Sequence, residues 1–233
     1  MPKYNSTKTL SIVTDASAKV FTSRAHPKGR WFSCYGALAI DEQIEAYHIA
    51  QDCPNNRGEL LGVKLGIVMA KDIMETFPGK YEKVVIYSDS KLAVSGLKSW
   101  MDTWIRKMIN GVMYKSDGNI VKNQDLYVDI MSFLSTYRFH IHLKHIAAHI
   151  NTSSFSALEK AKADYRISND SEMLSRDELV RMCDFNNMVD RGCKAHLDSL
   201  GDPDRYQMID YTNHDYIDMV RYVFPYDYAQ YIH

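Results

Sequence analysis

Three acidic residues have the positions that catalytic carboxylates often occupy: Asp15 in TDAS, Glu59 in NNRGEL and Asp89 in YSDS. Asp15 and Asp89 each follow a short apolar run that is typical of a buried strand, and Glu59 lies near the start of an amphipathic helical pattern. Sites in α/β proteins commonly form at the ends of neighbouring strands. The sequence therefore predicts that the three carboxylates meet at one edge of a sheet.

Such a group of carboxylates predicts a particular chemistry. Carboxylates in one pocket repel one another, so they persist only with raised pKa values or with a cation between them. Magnesium suits the pocket because it prefers oxygen ligands and keeps waters and phosphate oxygens in its remaining positions. Two such ions about 4 Å apart activate a water and stabilise the leaving oxygen during in-line attack on phosphorus. The cluster therefore indicates phosphodiester hydrolysis.

Each acid also has a purely structural interpretation. Asn56 and Glu59 have the spacing of a capping box, in which the glutamate bonds back to the backbone at the start of its helix. Asp15 has the residue type of a turn, and Asp89 has that of a helix cap. Taken singly these interpretations stay open, and only the joint occurrence of the three acids favours a site.

The elements that must position the acids follow from hydrophobic periodicity. The chain opens with three strand patterns, with Asp41 and Glu42 as a hairpin turn between the last two: TLSIVTDAS, RWFSCYGALAI and QIEAYHIAQDC. The later patterns are a helix after Asn56, the strand KVVIYSDS, helices at about 90–109 and 123–137, the strand RFHIHLKHIAAH, and helical sequence to about 200. This order predicts an α/β fold with a mixed five-stranded sheet, first antiparallel and then parallel, flanked by helices.

Composition limits the class of protein. A chain of 233 residues with 45% hydrophobic content can build one main domain. A net charge of −1 argues against a surface covered in phosphate-binding charge, so a nucleic-acid site must be local. The best candidate is the segment 98–122, here called the basic segment, which contains five Lys or Arg residues against two Asp residues.

The sequence also favours a soluble, cytoplasmic protein that does not associate with membranes. The four cysteines form no CxxC pair, so neither a zinc site nor a disulfide framework is indicated. No apolar run approaches the roughly 20 residues that a membrane span requires, and the N-terminal segment MPKYNSTKT lacks the apolar region of a signal peptide.

The three acidic motifs resemble, in order and separation, the carboxylate motifs of the type 1 ribonuclease H family. The resemblance covers about 10–200 and continues in three further segments: WMDTWIRK through VKNQDLY as a basic handle with its helices, HIAAHI as the end of the last strand, and NNMVDRGCKA as the final helix. It implies a ribonuclease H-like fold. It also implies an endonuclease that cuts the RNA strand of RNA–DNA hybrids with two Mg²⁺ ions, for which Mn²⁺ can substitute, in primer removal during replication.

The resemblance also implies roles for individual residues. The acids Asp15, Glu59, Asp89 and Asp190 would hold the metals, and His149 would assist water entry or product departure. Asparagines would face the minor groove, where the 2′-OH distinguishes RNA from DNA. Two tryptophans would lie along the DNA strand, although both residues also have the alternative role of anchoring their helix in the core. The full set implied to bind substrate is Asn55, Asn56, Trp100, Thr103, Trp104, Arg106, Lys107 and Lys115.

The chain also departs from the family pattern. Ala16 replaces the usual glycine after the first aspartate. Pro54 replaces a threonine that helps to hold a DNA phosphate, so that pocket must be weakened or rebuilt around Thr103. A helical insertion at about 150–185 and an acidic, tyrosine-rich extension at 201–233 have no recognised counterpart. We therefore expect a domain at 1–200 plus this extension, whose partner is unknown, in a monomeric protein.

The fourth carboxylate has two candidates. Asp164 in EKAKADYR is closer in sequence to His149, but charged residues surround it as in a solvated insertion. Asp190 is preceded four residues earlier by Asn186 and belongs to an apolar stripe that could seat its helix on the sheet. We therefore favour Asp190. The rival functions are a hybrid-binding module that does not cut and a nuclease of the same fold that acts on DNA junctions.

Overall fold

Five strands form one sheet in the computed structural model, which describes residues 9–136 and 140–200. The spatial order is β3-β2-β1-β4-β5; β1 pairs antiparallel with β2 and β2 with β3, whereas β1 with β4 and β4 with β5 are parallel. This arrangement confirms the predicted mixed sheet. The predicted extension at 201–233 lies outside the described residues. The strands are β1 (Thr9–Phe21), β2 (Arg30–Ala39), β3 (Ile44–Gln51), β4 (Lys83–Ser88) and β5 (Ile141–His145).

Helices connect and cover the strands. A π-helical turn at Gly96–Trp100 joins α2 to α3, so the helix predicted at 90–109 is one continuous helical run at 91–106 with a change of pitch, and Ile109 lies instead in an isolated bridge. The predicted insertion boundary at 185 falls inside α6. The helices are α1 (Asn55–Thr76), α2 (Lys91–Ser95), α3 (Met101–Arg106), α4 (Gln124–Thr136), α5 (Phe155–Ser168) and α6 (Arg176–Asp198).

None of the helices in residues 9–136 and 140–200 is long and apolar enough to cross a membrane.

Both faces of the sheet carry a hydrophobic core because successive side chains of a strand point to opposite faces. In β1, Leu10 and Ile12 belong to the core beneath α1, whereas Val13 belongs to the core beneath α6. The predicted apolar stripe of α6 is confirmed, since Val189 and Cys193 are fully buried in the second core. The sheet is thus fixed between α1 and α6, the two helices that carry the predicted acids Glu59 and Asp190.

A row of glycines lets α1 lie directly on β1. Gly58, Gly62 and Gly66 are spaced by four residues, so they share one face of the helix. A Cβ atom added to Gly62 would lie 3.1 Å from the carbonyl oxygen of Asp15, and one added to Gly66 would lie 2.6 Å from Thr14 Cγ2. Because no side chain separates the two elements, the helix brings Glu59 close to Asp15.

Candidate active site

Asp15, Glu59 and Asp89 meet at one end of the central strands, and we call this group the acidic centre. Asp15 lies in β1 directly after Thr14, where the pairing with β4 stops, and Asp89 directly follows β4. One carboxylate oxygen from each acid lies within 4.8 Å of the others. The structure therefore brings together the three side chains that the sequence predicted to share a site.

The structure does not support the interpretation of these acids as helix caps or turn residues. The predicted capping box of Asn56 and Glu59 is wrong, because α1 begins at Asn55 and Pro54 occupies the N-cap position without a side-chain cap. Glu59 is therefore the fifth residue of α1 and not the third, as a capping box requires, and its Oε1 accepts from the side chain of Asn55, Nδ2, at 3.1 Å. Asp15 is inside β1, opposite Gly36 of β2.

Asp89 is not the cap of the helix that follows it. Ser90 has that position, and its Oγ accepts a hydrogen bond from the backbone N–H of Ala93 at 3.3 Å. The carboxylate of Asp89 instead accepts from Asn186 Nδ2 of α6 at 3.1 Å. A side chain of α6 thus orients the acid that ends β4.

Burial and mutual repulsion raise the pKa values of the carboxyl groups in the acidic centre. Burial, together with the charges of Asp89 and Glu59, raises the pKa of Asp15 to about 9. Burial and the charge of Asp89 raise the pKa of Glu59 to about 8, and burial is also the main cause that raises the pKa of Asp89. Such shifts are expected where several carboxylates crowd one site of low solvent exposure.

Two oxygens of the acidic centre are suited to bind such a cation. Asp15 Oδ2 and Glu59 Oε2 are buried and have no hydrogen-bond partner among the described residues. Buried carboxylate oxygens without a partner are costly unless a cation or a proton satisfies them. The donor set is composed of hard oxygen atoms, which fits a divalent ion of the magnesium type.

Asp190 of α6 borders the acidic centre. Its charge contributes to the raised pKa values of Asp15, Glu59 and Asp89, and Cys193 on the same helix contacts the carbonyl oxygen of Asp15. Lys194 Nζ lies 2.7 Å from Asp190 Oδ2, a contact that the sequence reasoning missed although the spacing of four residues on a helix signals it.

Asp164, the rival for the fourth position, has different surroundings. It lies half-buried on α5, and its charge acts on the pKa of His145. The geometry therefore favours Asp190 as the acid next to the centre.

His149 lies in the loop between β5 and α5. Its side chain is exposed, and Nδ1 is 3.7 Å from Asp190 Oδ2. The backbone of His149 is in the left-handed region, with φ of 50°. The predicted histidine is thus close to the fourth acid.

A cavity of about 740 Å³ opens beside the start of α1 and contains several of the predicted substrate-binding residues. Pro54 and Thr103 line the same cavity, as a pocket rebuilt around the threonine would require. The lining also includes Lys122, Asn123 and Tyr127, which the prediction did not contain. The predicted residues in the lining are Asn56, Trp100, Thr103, Trp104 and Lys115.

The two tryptophans differ in exposure. Trp104 is 6% exposed and packs edge-on against Tyr127 with ring centroids 5.0 Å apart, so it is mainly a core residue. Trp100 is 40% exposed and lines the cavity. Arg106 and Lys107 are exposed at the end of α3.

The sequence of this chain is similar to that of a known protein family. The family model described as RNase H matches residues 7–172.

The chain belongs to the ribonuclease H family. It is 30% identical over 100 residues to the ribonuclease H of Neorickettsia sennetsu, an alignment that covers 43% of this chain and 58% of that enzyme, which is less than two thirds of its length. It is 30% identical over 128 residues to the ribonuclease H of Rickettsia massiliae, with coverage of 54% and 75%.

A solved structure has a similar fold. The foamy viral protease–reverse transcriptase in complex with an RNA/DNA hybrid aligns with a TM-score of 0.50 and 13% identity, covering 84% of this chain and 21% of that chain. Family membership and this likeness confirm the predicted fold. The family match ends at residue 172, before α6, so the placement of Asp190 beside the acidic centre depends on the geometry of this chain.

Proposed function

We propose that this ribonuclease H-family protein hydrolyses the RNA strand of RNA–DNA hybrids at the acidic centre with the help of two divalent metal ions. The observation that carries the proposal is the convergence of three carboxylates from separate parts of the chain, two of them buried and each of these two with an oxygen that has no partner among the described residues. In a ribonuclease H-family chain this arrangement is the natural place for phosphodiester chemistry.

The residues present divide the work at the site. Asp15, Glu59, Asp89 and Asp190 would hold Mg²⁺, for which Mn²⁺ can substitute. Ions bound there supply an activated water and stabilise the charge on the leaving oxygen. Asn55 and Asn186 orient the carboxylates of Glu59 and Asp89 through their amide groups, which limits the geometries that the oxygens can adopt.

His149 assists the reaction from the rim of the site. Its exposed ring, next to Asp190, can carry a proton or guide water in and product out. A histidine suits this task because an imidazole ring can both accept and donate a proton.

The cavity beside α1 would accept the DNA strand of the hybrid. Thr103 and Lys115 offer a hydroxyl and a cation to a phosphate, and Trp100 offers an aromatic face to the sugar or base. Arg106 and Lys107 add phosphate contacts outside the cavity. Asn55 and Asn56 would read the 2′-OH of the RNA, since an amide can both donate to a hydroxyl and accept from it.

Three further predictions accompany the proposal: a role in primer removal during replication, a cytoplasmic location and a monomeric state.

A panel of substrates tests the proposal. An RNA–DNA hybrid, a DNA duplex, an RNA duplex and a DNA junction, each labelled on one strand, are incubated with the protein in Mg²⁺ or Mn²⁺ and again with a chelator. We expect metal-dependent cuts only in the RNA strand of the hybrid. Binding of the hybrid without cleavage would indicate the non-cutting module, and cleavage of the junction alone would indicate the DNA nuclease.

A further inference from the structure

The loop between β5 and α5 holds His149 in an unusual conformation. The loop begins after His145 and ends at Ser154, which caps α5. The left-handed backbone of His149 is disfavoured for a residue with a Cβ atom, so it persists only where surrounding contacts enforce it.

Two hydrogen bonds connect this loop to α6. The amide of Asn187 donates from Nδ2 to the carbonyl oxygen of Ile150 at 3.1 Å, and Thr152 Oγ1 donates to Asp184 Oδ1 at 2.8 Å. Both bonds attach the loop immediately after His149.

Apolar contacts fix the loop on both sides of His149. Ala147 and Ile150 pack against a small core cluster whose members come from α5 and α6. The cluster consists of Ala161, Leu179 and Cys183.

The same helix carries the loop contacts and the fourth acid. Asp184, Asn187 and Asp190 follow one another at intervals of three residues on α6, which makes them neighbours on the helix surface. A single rigid element therefore sets both the position of Asp190 and the position of the loop, and so the 3.7 Å between His149 Nδ1 and Asp190 Oδ2.

We infer that Asn187 and Asp184 are positioning residues that hold the His149 loop against the active site through Ile150 and Thr152. The inference rests on the proposed function, because it assigns these residues a role only through His149. Both residues lie beyond the part of the chain that matches the family model. The two hydrogen bonds that they make to the loop, here called the clasp, therefore belong to the C-terminal helix of this protein.

Steady-state kinetics of Asn187→Ala, measured with and without His149→Ala in the same protein, test the clasp. Asn187→Ala should lower kcat on the hybrid about tenfold with KM nearly unchanged, since a catalytic group displaced by about 1 Å can cost up to about 100-fold. In a protein that already contains His149→Ala, the same substitution should have no further effect on kcat. A merely structural role for Asn187 would lower activity in both backgrounds.

A matched pair of variants at Thr152 isolates the second hydrogen bond. Thr152→Val keeps the shape of the side chain and removes the hydroxyl, so kcat should fall, whereas Thr152→Ser keeps the donor and should restore the parent value. The bond is exposed, so neither substitution should change the thermal midpoint appreciably.

Amide hydrogen exchange measures the clasp without any reaction. Peptides spanning 146–154 should exchange faster in Asn187→Ala than in the parent, while peptides of β1 and β4 keep their protection. This readout separates the two claims. If the parent does not cleave hybrids, the proposed function fails and the exchange result still reports on the loop contact.

The inference is overturned if Asn187→Ala matches the parent in kcat, if it lowers kcat equally with and without His149, or if exchange in the loop is unchanged. Loss of activity confined to the background that retains His149, together with faster loop exchange, supports it.

Discussion

The acidic centre and the basic segment would contact the same substrate but are built in opposite ways. The acids of the centre lie in β1, in α1 and directly after β4, and one oxygen from each lies within 4.8 Å of the others. The basic segment instead presents exposed cations, such as Arg106 and Lys107, at the end of the short helix α3. Chemistry on phosphorus requires fixed geometry, whereas binding to a phosphate backbone requires mainly charge.

The largest effect is expected from Asp89→Asn. The substitution removes a carboxylate charge and little volume, so it should abolish metal-dependent cleavage while hybrid binding stays close to that of the parent. Activity on a strand-labelled hybrid and binding by fluorescence anisotropy measure the two quantities separately. Full activity in this variant would refute the assignment of the acidic centre.

Asp190 and Asp164 provide a matched pair for the fourth carboxylate. Asp190→Asn should lose most of the magnesium-dependent activity, because Asp190 borders the acidic centre. Asp164→Asn, the same chemical change at a half-buried position of α5, should behave like the parent. If the two results were exchanged, the functional fourth acid would lie on α5 rather than on α6.

The acidic centre was predictable from sequence, because each of its acids stands in a short motif at the end of a recognisable element. The seating of α6 was predictable for a similar reason, since Val189 and Cys193 repeat at helical spacing. These signals come from residues that are close together in the chain, so they can be recognised without knowledge of the tertiary structure.

Other features of the site could not be read from sequence. Both Pro54 and Asn56 are acceptable at the start of a helix, and only the backbone shows that α1 begins after Pro54. The bond from Asn187 to Ile150 joins residues 37 positions apart, and no local pattern signals it. Burial of Trp104 likewise depends on Tyr127 of α4, which packs against it.

Removal of charge from the basic segment should weaken binding to an intermediate degree. Replacing Arg106, Lys107 and Lys115 by glutamine should reduce the salt dependence of hybrid affinity by up to about 0.9 log units per lost phosphate contact, and by less if the hybrid differs from B-form DNA. Titrations at several salt concentrations give the slope.

A control with the same change in net charge sharpens this result. Replacing Lys160, Lys162 and Arg166 of α5 by glutamine should leave the slope at the parent value. Equal slopes in the parent and the first triple variant would mean that the basic segment does not contact the substrate.

The smallest expected effect is a dependence of the free energy of unfolding on pH. Asp15 and Glu59 have folded-state pKa values of about 9 and about 8, above their ordinary values of 3.8 and 4.5. At a pH between the ordinary and the raised pKa values, the metal-free native state still holds protons that the unfolded chain has released. The free energy of unfolding of the metal-free protein should therefore fall as the pH rises. Urea denaturation of the metal-free protein at about pH 6 and about pH 8 measures this loss.

Two controls assign this pH effect to the acidic centre. Asp15→Asn should flatten the pH dependence, because the amide cannot ionise. Saturating Mg²⁺ should offset the loss of stability at the higher pH, because the ion binds the ionised carboxylates. A pH dependence identical in Asp15→Asn and the parent would contradict the coupling.

The most direct test of the central claim is the anomalous diffraction of Mn²⁺ in crystals of the protein. We expect a manganese peak bound by carboxylate oxygens of Asp15, Glu59 and Asp89, at a Mn²⁺ concentration that supports hybrid cleavage. Active protein with no peak at the acidic centre, or with manganese bound only elsewhere, would contradict the claim.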